Sequence, residues 1–99
     1  MANSQVSFSD GVSVAPDVLF RLVSDEAVLV NLNTEVYLGL NPVGARIWTV
    51  LCDSASIQSA FDRLQTEYDV EPAELSRDLA EFIAELVRHQ LIETRPARA

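Results

Sequence analysis

Valine- and leucine-rich runs alternate with polar breaks through the first forty residues, and the breaks carry turn chemistry. Residues 18–23 and 27–32 flank Ser24-Asp25-Glu26, so they predict two antiparallel strands joined by a tight turn. A second break, Asn33-Thr34-Glu35, precedes Val36, Tyr37, Leu38, Gly39 and Leu40, which complete a three-stranded meander. Upstream, residues 12–15 form a short apolar approach halted by Pro16-Asp17, and the first ten residues show no periodicity.

At Asn41-Pro42 the period changes. Asparagine is a good N-cap, and proline is tolerated at the first helical position, where its missing N–H would have no partner anyway. A helix is therefore expected from here to about Cys52-Asp53, with Ile47, Trp48, Val50 and Leu51 on its apolar side and Gly44 allowing close approach of its first turn. Ser54 or Ser56 can cap a second helix, in which Ile57, Ala60, Phe61, Leu64 and Tyr68 recur at helical spacing. The third is the best marked, with Pro72 near its start, Glu71 and Glu74 at the positive end of its dipole and Arg88-His89 at the negative end. Its stripe is Leu75, Leu79, Phe82, Ile83, Leu86 and Val87, and it should pack on the sheet and on neighbouring helices. Leu91-Ile92 offers a short extended tail. The pattern thus predicts an α+β, winged-helix-like domain over residues 12–93, in which a three-stranded antiparallel sheet is followed by three helices, with disordered ends at 1–11 and 94–99.

Composition narrows the function. Ninety-nine residues, 48% of them hydrophobic, suffice for one core and not for two. One cysteine cannot form an internal disulfide, no apolar run approaches bilayer length, and the N-terminus lacks the features of a signal peptide, so cytoplasmic residence without a membrane is expected. Fifteen acidic residues face seven basic ones, all arginine, giving a formal charge of -8 that disfavours nucleic acid as a partner.

The residues of catalysis are sparse. His89 stands in the last turn of a helix with no nucleophile motif around it, and Cys52 reads as a small buried filler. One cysteine and one histidine cannot make a structural zinc site, the carboxylates lack a calcium-loop pattern, and glycines 11, 39 and 44 match no phosphate-binding motif. No catalytic residue, metal or cofactor is expected. Glu74, Asp78, Glu81 and Glu85 read as a solvated helix face.

The stretch from Asn31 to Trp48, with Tyr37, Leu40-Asn41, Gly44 and Ile47-Trp48, followed later by Asp78, Phe82, Leu86 and Leu91-Ile92, resembles the PqqD-like family over about residues 18–92. Where that family frequently has glycine before the third strand this chain has Glu35, which leaves the hairpin geometry open. The resemblance implies a domain that binds the leader segment of a ribosomally made precursor peptide and presents it to a modifying enzyme or leader peptidase. It also implies strand addition along the third strand, beside the third helix. Carried over, the site is Val36, Tyr37, Leu38, Gly39 and Leu40 on the strand, with Leu75, Asp78, Leu79, Phe82 and Glu85 on the helix. Leu75, Leu79 and Phe82 have a second reading as core, while Asp78 and Glu85 flank the stripe.

Two other functions fit the same topology. A DNA-binding winged helix would need basic or amide side chains on the third helix, which instead carries Glu74, Asp78, Glu81 and Glu85 against Arg77 and Arg88. A dimerisation module would use the strand edge to pair with a second copy, giving a homodimer. Charge separates the first of these experimentally: the protein is expected to show no salt-sensitive binding to duplex DNA at low ionic strength in a fluorescence anisotropy titration, and micromolar binding that weakens steeply with salt would overturn the peptide-binding reading.

Overall fold

The computed structural model describes residues 7–96. Its elements in chain order are β1 (Gly11–Val14), β2 (Val18–Val23), β3 (Glu26–Asn31), β4 (Val36–Leu40), α1 (Pro42–Cys52), α2 (Ile57–Glu67), α3 (Pro72–Arg88) and β5 (Ile92–Arg95). Strands β2, β3 and β4 form the antiparallel meander that the sequence pattern predicts, with three helices after it. The third strand of the sequence pattern is thus β4.

Register assigns the faces. Phe20, Leu29 and Leu38 are cross-strand partners, as are Leu22, Ala27 and Leu40, and these rows point toward the helices. Ala27, Leu29 and Leu40 are buried there with Ala45, Trp48 and Leu51 of α1, and the Phe20 and Trp48 rings stack at 6.0 Å. Two-residue turns suit the twist of a hairpin when φ is positive at the first central position, and Ser24 supplies that between β2 and β3 with φ 59°.

The helix caps follow the sequence. Asn41 Oδ1 accepts from the Gly44 N–H at 2.8 Å, and Ser56, rather than Ser54, accepts from the Ser59 N–H at 3.1 Å. Glu71 precedes α3 without a side-chain cap. At its other end, the Leu91 N–H reaches the Leu86 carbonyl and the Gln90 N–H reaches Val87, a Schellman closure with Gln90 at φ 60° in the position that favours glycine. Arg46 clamps α1 to α2 through a two-pronged contact with Glu67 at 2.9 and 2.6 Å, and this hydrogen bonding holds the Glu67 carboxyl below the usual carboxylate range.

Three features depart from the sequence expectations. First, both ends are more ordered than the bounds 12–93 allow. β1 begins at Gly11 and pairs antiparallel with β5, so that Gly11 faces Arg95 and Val12 faces Thr94. Phe8 and Asp10 place their carbonyls on the Gln58 and Ile57 N–H groups at 2.7 and 2.8 Å, satisfying the start of α2, and Phe8 packs on Phe61. Gly11 is required here, because a Cβ would lie 2.9 Å from the Ala55 carbonyl oxygen. The expectations for residues 1–6 and 97–99 lie outside the described residues. Second, α3 does not lie on the three-stranded sheet; its principal neighbours are α2 and β5, and α1 is the helix against β3 and β4. Third, Leu32 belongs to the turn, not to β3, because Asn31 ends the strand by turning its side chain back on the loop.

Asn31 is the buried polar residue of the core, at 3% exposure. Its Oδ1 accepts from the Asn33 and Thr34 N–H groups at 2.9 and 3.1 Å, and its Nδ2 donates to the Gln90 carbonyl at 2.7 Å. Its own carbonyl accepts from the Glu35 N–H at 2.7 Å, where Glu35 has φ 62°. Asn31→Ala is expected to lower stability by roughly 2–3 kcal/mol in urea unfolding, since it removes three hydrogen bonds made by a buried side chain. Glu35→Gly is expected to raise stability by about 1 kcal/mol, by removing the side-chain cost of a left-handed φ. A neutral Asn31→Ala would show that water replaces these bonds.

Candidate functional site

The meander leaves β4 as an edge strand, with β3 on one side and no strand on the other among the described residues. Its free backbone N–H and C=O groups can pair with an extended chain. Side chains alternate along it. Val36 and Leu38 are half-buried and Leu40 is buried on the helix side, whereas Tyr37, at 71% exposure, and Gly39 face outward. A Cβ on Gly39 would meet nothing within 4 Å, so the packing of this chain does not require glycine there.

α3 carries the other residues nominated for the site, and they differ in exposure. Leu79 is fully enclosed and Leu75 is 7% exposed; with Ile83 and Leu86 they are core, which decides between the two readings that the sequence left open for Leu75 and Leu79. Phe82 is half-buried and packs against that core with one side, leaving part of its ring accessible. Asp78 and Glu85 lie at the margin. Asp78 is exposed with Arg77 at 3.9 Å, and Glu85 is half-buried with Arg88 and His89 at 4.0 and 3.9 Å. Neither carboxylate is locked into a short ion pair, so both remain able to meet a cation.

Of the sequence-derived site, the accessible set is therefore the β4 edge from Val36 to Leu40 together with Asp78, Phe82 and Glu85 of α3. Leu75 and Leu79 belong to the core. Sequence reasoning missed Asn31, which joins the turn before β4 to the residues that close α3. Its signal was the parity of β3, where Asn31 takes the inward position after Ala27 and Leu29. Beside it opens a cavity of about 270 Å³ lined by Pro16, Asp17, Asn33, Val87 and Glu93, among others.

Cys52 and His89 are remote from one another in role. Cys52 is exposed as a residue, contrary to the expectation of a buried filler, yet it borders a shallow depression with Phe20 and Trp48, and loss of hydration there pushes its thiol up to about 11. His89 caps α3, its backbone N–H donating to the Glu85 carbonyl at 3.0 Å.

The same arrangement occurs in solved structures. TbiB1 in complex with the TbiA(beta) leader peptide is similar at a TM-score of 0.75 and 34% identity, over 81% of this chain and 93% of that one. Lasso peptide synthetase B1 complexed with the leader peptide matches at a TM-score of 0.74 over 83% of this chain and 96% of that one; at 24% identity it shows the fold. No curated protein matches the chain. The family Coenzyme PQQ synthesis protein D (PqqD) matches residues 26–92, from the first residue of β3 to the first of β5, which takes in every element of the candidate site. With that span and the 34% identity over four fifths of its length, the chain belongs to the PqqD family.

Proposed function

We propose that this chain binds the leader segment of a ribosomally synthesised precursor peptide by adding it as a strand to β4, and presents the precursor to a modifying enzyme or leader peptidase. The observation that carries the reading is the unpaired β4 edge lying in a family member whose 34%-identical relative, TbiB1, is in complex with a leader peptide. Main-chain pairing supplies affinity for any extended segment, and side-chain pockets at alternate positions supply choice. In this mode alternate leader residues would meet half-buried apolar side chains such as Val36, Leu38 and Phe82, and Asp78 and Glu85 would favour a basic residue.

The family is one of non-catalytic binding domains, and the chain is not an enzyme. Among the described residues no helix is long and apolar enough to cross a membrane, and the reading takes a cytoplasmic setting. Pairing of β4 with a second copy would compete with the leader for one edge, so an added leader would shift any dimer toward monomer.

Binding and chemistry are tested separately. In calorimetric titration with the leader of a precursor encoded beside this gene, Leu38→Pro is expected to lower affinity by about a hundredfold or more, because it removes a donor and fixes the edge geometry. Asp78→Arg is expected to weaken binding about three- to tenfold while the fold survives. Unchanged affinity for Asp78→Arg, with leader-induced amide shifts outside residues 36–40 and 75–85, would move the peptide elsewhere. For the chemistry, the raised thiol pKa of Cys52 predicts alkylation by iodoacetamide roughly tenfold slower than a model thiol below pH 9, its smaller thiolate fraction being partly offset by higher nucleophilicity. Cys52→Ala together with His89→Ala is expected to leave stimulation of the partner enzyme intact, and its loss in a folded variant would reveal a chemical role.

A further inference from the structure

The helix-free face of the β2-β3-β4 sheet is apolar. Register sets Leu19, Val30 and Tyr37 side by side across it, Arg21, Val28 and Gly39 in the next row, and Val23 beside Glu26 beyond. Leu19, Val23 and Tyr37 are 42%, 65% and 71% exposed, and no helix covers them among the described residues. An antiparallel sheet turned to water on one face ordinarily alternates to polar side chains there. A depression of about 300 Å³ interrupts the face, lined by Val23, Val28, Gly39 and Asn41, at the glycine that this chain's own packing leaves unexplained.

Charge selects the occupant. Asp25 and Glu26 border one end of the face and Asp17 and Glu35 the other, all exposed, with Arg21 as the basic residue among them. A second copy would bring two acidic borders together in a molecule already carrying -8, whereas a protein with an apolar patch ringed by lysine and arginine would be complementary. The face runs to β4, so a strand added at that edge would extend it, and whatever docks here lies against the bound leader.

We propose that this outward face is the docking surface for the enzyme that acts on the precursor, which places an apolar side chain in the depression at Gly39 and basic residues on the acidic border. The identity of the partner rests on the leader-binding reading; the surface does not.

The test uses the full chain, the purified modifying enzyme or leader peptidase encoded with it, and the double variant Val23→Lys/Val30→Lys, measured by biolayer interferometry without leader. Both positions point away from the core, so the melting temperature and the leader affinity are expected to stay close to wild type. The enzyme is expected to bind the double variant at least about tenfold more weakly, and wild-type association should weaken as ionic strength rises from about 0.05 to about 0.5 M. Unchanged association of the double variant overturns the proposal, as does equal loss of leader and enzyme binding, which would make the face part of the groove. A wild-type dimer in sedimentation that the double variant dissociates would also overturn it, because the occupant would then be a second copy. If the wild type fails to bind leader yet binds the enzyme through this face, the strand-addition reading fails and the docking surface stands.

Discussion

One side chain holds the two walls of the proposed groove in place. Asn31 spends its Oδ1 on the turn that launches β4 and its Nδ2 on the Gln90 carbonyl just past α3, residues 59 apart in sequence. The segments around it are tied by backbone alone: the Leu32 N–H reaches the Asp17 carbonyl and the Ala15 N–H reaches Leu91. Since α3 has α2 and β5 as its principal neighbours, the position of β4 relative to α3 depends on this junction and on α1 more than on contact between the two. A buried amide that satisfies three backbone groups is expensive to misplace, which favours a single register for the hairpin.

The same junction stores backbone strain. Asp17, Glu35 and Gln90, all near Asn31, have φ values of 65°, 62° and 60° without being glycine. Each such residue costs about 1 kcal/mol relative to glycine, so the surrounding hydrogen bonds must over-determine the conformation. Glu35 shows how: its N–H is held by the Asn31 carbonyl, and the hairpin therefore keeps the left-handed turn at the position where the family frequently has glycine.

The strands were legible as valine- and leucine-rich runs between polar turns, and the helices because one-sided packing imposes recurrence at three and four residues in α2 and α3. The β1–β5 pair was not, since Ser13 pairs with Glu93 and Val12 with Thr94, about eighty residues apart, and four-residue strands with polar partners leave no pattern to read. Leu79 and Phe82 sit on one apolar stripe, and the stripe cannot say which of them the neighbouring elements will enclose; packing makes Leu79 core and leaves Phe82 partly open. Nor does a continuous apolar run say which face of a sheet the helices will cover, and it is their placement that leaves Leu19 outward and buries Leu29.

The acidity of the surface follows from fifteen carboxylates against seven arginines, several of which are held in specific contacts. Arg46 joins α1 to α2 through Glu67, Arg63 braces the turn between them at Asp53 and Ser54, and Arg95 Nη2 donates to the Val12 carbonyl across the β1–β5 pair. Each paired arginine offsets its own partner, and the carboxylates left over make the field negative at α3 and at the ends of the sheet alike. Such a field repels a polyanion, yet it leaves an edge of backbone N–H and C=O groups indifferent to charge. In the proposed mode an extended peptide would pair along β4 through its backbone, while Asp78 and Glu85 would grade peptides by the basic residues they carry.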